Sequence, residues 1–163
     1  MTNTSPPDTP AGLRWSDAFL LGFAPMDETH REFVVVVHAL QAAPDEALPA
    51  ALEAVRDHCR AHFAQEDRWM TETAMPARDC HADEHSAVLK SIDEVLALLH
   101  AAPADAMPIA NTRRLAEELA RWFPGHADYL DSALSHWMSM RRFGGKPMVI
   151  RRSDAGGGKA PAV

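Results

Sequence analysis

Four stretches of the chain carry apolar residues at intervals of three and four, and each of these stripes contains histidine in place of an apolar residue. The stretches run from about Asp27 to Ala42, Glu46 to Thr73, Asp79 to His100 and Pro108 to Arg142. Stripes at this spacing pack against one another in helical bundles. We therefore predict an all-α fold, an antiparallel up-down four-helix bundle. The inward positions are His30, Phe33, Val37 and Leu40; Leu52, Val55, Cys59, His62, Glu66 and Trp69; His81, His85, Val88, Ile92, Val95 and Leu99; and Leu115, Leu119, Trp122, His126, Tyr129 and Ala133.

The two ends of the chain differ in composition from its middle. Residues 1–13 are polar and proline-rich, and the segment from Gly144 onward is punctuated by Gly and Pro. Such compositions do not bury enough apolar surface to fold. We predict a flexible N-terminal arm over 1–13, a bundle over 14–143 and a disordered C-terminal tail over 144–163.

Composition excludes several classes of protein. The 16 Lys and Arg residues against 23 Asp and Glu residues give a net charge of −7, which argues against binding nucleic acid or an anionic membrane. The longest apolar run, Phe33 to Val37, is far too short for membrane insertion, and the N-terminus does not have the pattern of a secretory signal. Two cysteines, Cys59 and Cys80, indicate no disulfide framework, so we expect a cytoplasmic setting.

The polar residues of the stripes are predicted to meet at one level of the bundle. Because alternate helices run in opposite directions, His30 near the start of the first helix falls beside the late part of the second and the early part of the third. His62 and Glu66, like His81 and His85, are four residues apart and share a helix face. Inward imidazoles and carboxylates are costly without a partner. The pattern predicts a metal site for iron, zinc, copper or nickel, and bridging carboxylates favour two metals close together.

These residues resemble the ligand set of the hemerythrin family in its bacterial form. The matching order is His30, His62-x-x-x-Glu66, His81-x-x-x-His85 and His126-x-x-x-x-Asp131, and the resemblance extends from Trp15 to Arg142. The surroundings of the ligands agree with this resemblance: Trp15 with Leu21-Gly22, Asp27-x-x-His30, His62-Phe63-x-x-Glu66 with Met70, and Arg121-Trp122-Phe123-x-x-His126.

The resemblance implies a cofactor of two iron ions, a non-haem di-iron centre with an oxo or hydroxo bridge, that binds dioxygen reversibly. By that likeness one iron is held by three histidines, the other by two, and both by two bridging carboxylates, which leaves one open position on the second iron. The implied ligands are His81, His85 and His126; His30 and His62; and Glu66 and Asp131. Five neutral imidazoles against two carboxylates disfavour high-valent iron, which favours an oxygen carrier or store over an enzyme.

The fourth helix holds two features that the spacing alone does not explain. Pro124 lies two residues before His126, and an internal proline disturbs a helix, so we predict a kink or break around Trp122 to Gly125. Asp131 follows His126 by five residues, which is about 140° from the stripe's direction on an ideal α-helix. Only the resemblance selects Asp131 as a ligand.

Several inward aromatic residues have two interpretations. Tyr129 is either a core aromatic or a hydroxyl placed near the open iron position, where it would alter the lifetime of bound dioxygen. Phe63, Trp122 and Phe123 form either an apolar wall of the oxygen pocket or ordinary core. The remaining histidines, His38, His58, His100 and His136, lack metal-like spacing and are predicted at the surface or capped in the core.

Three other functions compete with oxygen carriage. The same site would serve an oxygen or redox sensor that signals to a protein partner, or an enzyme that removes peroxide or nitric oxide or oxidises iron. The third alternative is a bundle that binds no metal, or one in which zinc has only a structural role. The order of the ligands favours reversible dioxygen binding, with no nucleic acid and no membrane as partner.

Overall fold

The computed structural model describes residues 12–143, and helices make up nearly all of this range. The α-helices are α1 (Ala24–Ala42), α2 (Leu48–Glu72), α3 (Arg78–Ala101), α4 (Ala106–His126) and α5 (Ser132–Phe143). Short 3-10 turns, Asp17–Phe19 and Asp45–Ala47, precede α1 and α2. A π-helical turn, Ala127–Asp131, joins α4 directly to α5, so these two helices form one continuous helical arm. Together with α1, α2 and α3 it makes up the four helical arms of the bundle.

Short connections force consecutive helices to run in opposite directions. Helices α2 and α3 have 25 and 24 residues, and a helix of that length is roughly 36 Å long. The five residues between them, 73–77, reach at most ~17 Å. Each helix therefore folds back beside the one before it, and α4 also packs against α1 and closes the ring. The predicted antiparallel four-helix bundle is confirmed.

The buried side chains form two apolar clusters. The larger contains residues from all four arms, including Phe33, Leu52, Ile92 and Phe123. The smaller lies toward one end of the bundle and consists of Phe23, Met26, Met70, Met75 and Leu134. Three arms pass from one cluster to the other with a polar residue in between: His30 between Met26 and Phe33, Glu66 between Phe63 and Met70, and Asp131 between Ala127 and Leu134. A polar level therefore separates the two clusters.

Helix α1 starts three residues earlier than the pattern predicts. Pro25 occupies its first turn, where a proline costs no helical hydrogen bond. Asp27, placed at the predicted start, is instead a buried residue of the helix. Its carboxylate accepts the backbone N–H groups of Leu21 and Gly22 at 2.7 and 3.1 Å, which ties the entering chain to the helix.

The chain does not break its helix around Trp122 to Gly125, where a kink or break was predicted. Helix α4 continues through Pro124 to His126, and the N–H of Ala127 is shared between the carbonyls of Phe123 and Pro124. The irregularity lies in the next turn, where the N–H of Ser132 donates to the carbonyl of Ala127, five residues back. The proline removes only one donor, and the turn that follows it contains one extra residue.

The predicted N-terminal arm and C-terminal tail fall largely outside the described residues. Of this arm, Gly12 and Leu13 are described, and the N–H of Leu13 donates to Gln41 Oε1 at 2.7 Å. The tail over 144–163 lies entirely beyond that range. Within the described residues, none of the helices combines the length and the apolar character needed to cross a membrane.

Gly125 offers a direct test of the regularity of α4. A Cβ added at this position would meet nothing within 4 Å. Because glycine in a helix is less stable than alanine by roughly 0.5–1 kcal/mol, Gly125→Ala should raise the free energy of unfolding by about that amount in urea titrations. Gly12→Ala serves as the contrasting variant, since its Cβ would lie 2.9 Å from Gln41 Oε1 and from His38 Nδ1. A loss of stability in Gly125→Ala would show that α4 needs glycine beside the proline.

Candidate metal centre

The residues predicted as ligands converge in the interior of the bundle. Each of them is 4% exposed or less, and they come from all four arms. The α1 arm supplies His30, α2 supplies His62 and Glu66, α3 supplies His81 and His85, and the fourth arm supplies His126 and Asp131. The structure therefore brings all of these residues together, on the polar level between the two apolar clusters.

The π-helical turn places Asp131 beside His126. In an ordinary α-helix the fifth residue points away from the first by about 140°. A turn closed by a bond between residues five apart holds one more residue, so that Asp131 returns to the face of His126. Its Oδ1 lies 3.2 Å from His126 Nε2. The spacing that looked anomalous in the sequence thus has a local structural cause.

The same turn moves Tyr129 out of the interior. Tyr129 is 82% exposed, so both the core and the oxygen-pocket interpretations of this residue are wrong. The extra residue shifts the inward face by one position, and the shift persists beyond the turn. Ala133, predicted to face inward, is exposed, whereas its neighbour Leu134 is fully buried.

The two carboxylates divide the histidines into two sets. Glu66 Oε1 lies 2.7 Å from His62 Nε2, while its Oε2 lies 3.3 and 3.2 Å from the Nε2 atoms of His81 and His85. Asp131 is arranged in the same way. Its Oδ2 lies 3.0 Å from His30 Nε2, and its Oδ1 lies 3.1 Å from His81 Nε2. Each carboxylate thus directs one oxygen toward each set.

The donor atoms of each set lie close enough to hold one ion. One group, in which every pair of donor atoms is within 4.8 Å, comprises Glu66, His81, His85, His126 and Asp131; a second comprises His30, His62 and Glu66. We call the histidines of the first group, His81, His85 and His126, the three-histidine set, and His30 and His62 the two-histidine set.

Several buried donor atoms have no hydrogen-bond partner in the described part of the protein. They include His30 Nε2, His85 Nε2, Glu66 Oε2 and both carboxylate oxygens of Asp131. A buried polar atom without a partner costs free energy, and these atoms face one another across the two groups. A divalent cation in each group would satisfy them, so the residues fit metal ions.

Strong electrostatic coupling links the carboxylates and imidazoles. Burial and the neighbouring Asp131 both raise the pKa of Glu66, but the hydrogen bond from His62 and the nearby imidazoles of His81 and His85 outweigh them and hold this pKa well below its usual range. Burial likewise opposes ionisation of Asp131, whose histidine partners hold its pKa well below 3.8. Burial alone would lower the pKa of His81, yet the carboxylates of Asp131 and Glu66 beside its Nε2 raise this pKa to about 9. Both carboxylates are therefore anionic at neutral pH.

Aromatic side chains cover the histidines. Phe63 stacks in parallel on His85 with ring centroids 4.0 Å apart, and Phe123 meets His30 edge-on at 5.2 Å. Both phenylalanines are buried, whereas Trp122 is half-buried and lies against the outer side of His126 at 4.2 Å. Phe63 and Phe123 thus lie in the interior beside the ligands, and Trp122 covers the site from outside.

Two carboxylates that contact ligands were not found by sequence reasoning. His126 Nδ1 donates to Glu84 Oε2 at 3.0 Å, and His85 Nδ1 donates to Asp67 Oδ1 at 3.3 Å. The bond from His126 is also the main reason that the pKa of Glu84 is lowered. Each carboxylate is the chain neighbour of a predicted ligand but lies one position off the stripe. The acidic residues adjoining Glu66 and His85 were the available signal.

The other histidines stay outside the site, as predicted. His100 is exposed and lies 2.9 Å from Glu53, His136 is exposed, and His38 is half-buried. His58 comes nearest, with its ring 5.6 Å from that of His62. Burial, together with His62 and His30, lowers the pKa of His58 to about 4, so that it is neutral at physiological pH.

The raised pKa of His81 predicts a pH dependence for the metal-free protein. Because the folded state keeps this proton up to about pH 9 while the unfolded chain releases it near 6.5, the free energy of unfolding should decrease as pH rises from 6.5 to 9. Below 6.5 this contribution is fully present. Urea unfolding with a chelator present measures it.

Two variants control this measurement. His81→Gln should flatten the dependence, and His100→Gln, at an exposed position, should retain it. A stability that is constant from pH 6.5 to 9 in the parent protein would contradict the coupling.

Comparison with known proteins agrees with this geometry. Residues 21–135 match the family model of the hemerythrin HHE cation binding domain. A bacteriohemerythrin of Ralstonia nicotianae is 36% identical over 129 residues, which cover 79% of this chain and 90% of that protein. No solved structure matched the chain. The family model covers more than half of the chain and includes all of the converging histidines and carboxylates, and the chain therefore belongs to the hemerythrin family of cation-binding domains.

Proposed function

We propose that the chain binds dioxygen reversibly at a di-iron centre held by the three-histidine and two-histidine sets. The observation that carries this proposal is the division of the carboxylate oxygens. Glu66 and Asp131 each direct one oxygen to one set and the second oxygen to the other. Carboxylates so placed are suited to bridge two cations, whereas a single cation would use only one oxygen of each carboxylate.

The donor types support iron as the metal. Imidazoles together with carboxylates suit iron, zinc, copper and nickel, and membership of the hemerythrin family favours iron among these. When bound, two ferrous ions would supply the two electrons and the open coordination position that reversible dioxygen binding requires. The predominance of imidazole over carboxylate supports an oxygen carrier over a redox enzyme.

The two sets offer unequal numbers of protein donors. The three-histidine set with one oxygen from each carboxylate provides five donors, whereas the two-histidine set forms a group of three with one oxygen of Glu66. The second oxygen of Asp131, 3.0 Å from His30 Nε2, adds at most a fourth donor. The side with fewer protein donors has more room for an added ligand. We therefore assign dioxygen to the side of His30 and His62.

The surrounding residues exclude water from that side. His30 is fully buried, and Phe123 and Phe33 stack against each other beside it with centroids 4.6 Å apart. Water and protons promote irreversible oxidation, and a closed apolar environment suppresses such side reactions. We propose that Phe33 and Phe123 protect the site on this side. Phe63 serves the same purpose beside His85.

A cytoplasmic setting belongs to the same proposal. Cys59 is buried in the core and Cys80 is exposed, and both are free thiols. Burial raises the pKa of the Cys59 thiol to about 12, so this residue is an inert core side chain. Free thiols of this kind are typical of reducing compartments.

The visible spectrum of the iron-loaded protein tests the function. The protein is reduced without oxygen, exposed to oxygen and then degassed over several cycles. We expect an absorption band that appears with oxygen and disappears on degassing. Glu66→Ala should abolish it, and His136→Ala, at an exposed position, should retain it. Irreversible conversion to a ferric spectrum would contradict reversible binding and favour a redox enzyme or sensor. Failure to take up iron would overturn the di-iron centre itself.

Protection by Phe123 predicts a faster loss of the oxygenated form when its ring is reduced in size. Phe123→Leu should raise the autoxidation rate by about tenfold or more. A tenfold increase corresponds to an activation free energy of autoxidation that is lower by ~1.4 kcal/mol. The matched variant is Tyr129→Phe, which should leave this rate unchanged because Tyr129 is 82% exposed. Equal rates in Phe123→Leu and the parent protein would remove Phe123 from this role.

A further inference from the structure

The imidazoles of the two sets differ in what holds their outer nitrogens. In the three-histidine set, His126 Nδ1 donates to Glu84 and His85 Nδ1 donates to Asp67. A carboxylate only accepts hydrogen bonds, so the proton of each ring is placed on Nδ1 and Nε2 is turned inward with its lone pair. These two histidines are therefore held in the form that binds a cation.

The two-histidine set has no such partners. Among residues 12–141, no hydrogen-bond partner is found for Nδ1 of His30 or His62, and the same is true of His81. The two outer carboxylates thus serve one side of the site only. The asymmetry adds to the difference in the number of donors.

Packing holds the outer carboxylates and their histidines in place. Glu84 Oε2 accepts from Trp122 Nε1 at 3.4 Å as well as from His126, and the Trp122 ring covers His126. His85 is fixed by the parallel ring of Phe63. Glu84 lies on α3 while Trp122 and His126 lie on α4, so this contact crosses from one helix to the other.

We propose that Glu84 and Asp67 are positioning residues that make the three-histidine set the tighter half of the centre. A carboxylate on the outer nitrogen of a metal-binding histidine fixes the ring and makes it a stronger donor. The three-histidine set then fills first, and the side of His30 and His62 fills last and empties first. The inference rests on the proposed function only in requiring two cations.

The expected sizes follow from the contacts. Loss of such a partner typically weakens metal binding by about 10–100-fold. Glu84 is nearer to its histidine than Asp67, at 3.0 against 3.3 Å, and it is also held by Trp122. Both side chains are about half exposed, at 48% and 46%, so water partly replaces them. We expect Glu84→Gln to weaken metal binding by roughly tenfold and Glu84→Ala to weaken it by more. Asp67→Asn should weaken metal binding by less than Glu84→Ala does.

The test is a stepwise titration of the metal-free protein with Co²⁺ alone, in competition with a chelator. It gives the affinity and the absorption spectrum of each step. Glu84→Gln and Glu84→Ala should weaken the first step and leave the second within about twofold of the parent value, small beside the 10–100-fold loss expected for the first. Asp83→Asn on α3 and Glu72→Gln on α2 are controls that remove exposed carboxylates nearby, and neither should change either step.

A second measurement separates positioning from general loss of structure. The metal-free variants should give the same circular dichroism and urea midpoint as the parent. In the iron-loaded protein, Glu84→Ala should raise the reduction potential, because an anion beside the three-histidine set is lost. A variant that is merely less stable would not show this shift.

The outcomes distinguish this inference from the proposed function. Two Co²⁺ equivalents with unchanged first-step affinity in the Glu84 variants, or with both steps weakened equally, would overturn the positioning role alone. Selective weakening in a protein whose iron form does not release oxygen would overturn the proposed function alone. A single equivalent in the parent protein would overturn both.

Discussion

Two buried carboxylates dictate how the four arms of this bundle meet. Glu66 and Asp131 are completely inaccessible to solvent, and an isolated charge in such a position costs several kcal/mol. Their position becomes tolerable only when imidazoles from every arm reach the same level. A slip of one residue along any arm would move an imidazole or a carboxylate away from this level. The polar level therefore fixes the relative height and rotation of the helices more strictly than apolar packing, which tolerates sliding among Leu, Val and Phe.

The interruption of the core by this level is itself informative. The methionine-rich cluster around Met26 and Met70 is separated from the main core along three arms. Along these arms the apolar residues that flank the polar level are Met26 and Phe33, Phe63 and Met70, and Ala127 and Leu134. Without a cation, these buried groups compensate one another through the hydrogen bond between His62 and Glu66 and through the short distance of 3.0 Å between His30 Nε2 and Asp131 Oδ2. The free energy that the site gives up in this way is recovered when metal binds.

The fold and most of the site could be predicted because both depend on periodicity. The spacing alone places His62 with Glu66, and His81 with His85, on one face of a helix. The apolar stripes around them predicted a helical bundle. Asp131 could be selected as a ligand only through the family resemblance, because its spacing from His126 does not place both residues on one face of an α-helix. Tyr129 and Ala133 were assigned to the wrong face for the same reason, since one π-helical turn shifts every later residue. Pro124 drew attention to the fourth helix, whose hydrogen bonding becomes irregular in the turn that follows it. Glu84 and Asp67 act from the surface, and an exposed acidic residue on a helix carries no periodic signal.

The π-helical turn between α4 and α5 has a consequence for anyone who transplants this site into another scaffold. An idealised bundle is assembled from straight α-helices with regular hydrogen bonding. Such a helix cannot present a histidine and, five residues later, a carboxylate to the same point in space. A designer must either build the wide turn deliberately or place the carboxylate four residues after the histidine. The second choice shifts by one residue the positions that face inward in the rest of that helix. The ligand spacing of this chain is therefore tied to one irregular turn and is not a motif that can be copied by sequence alone.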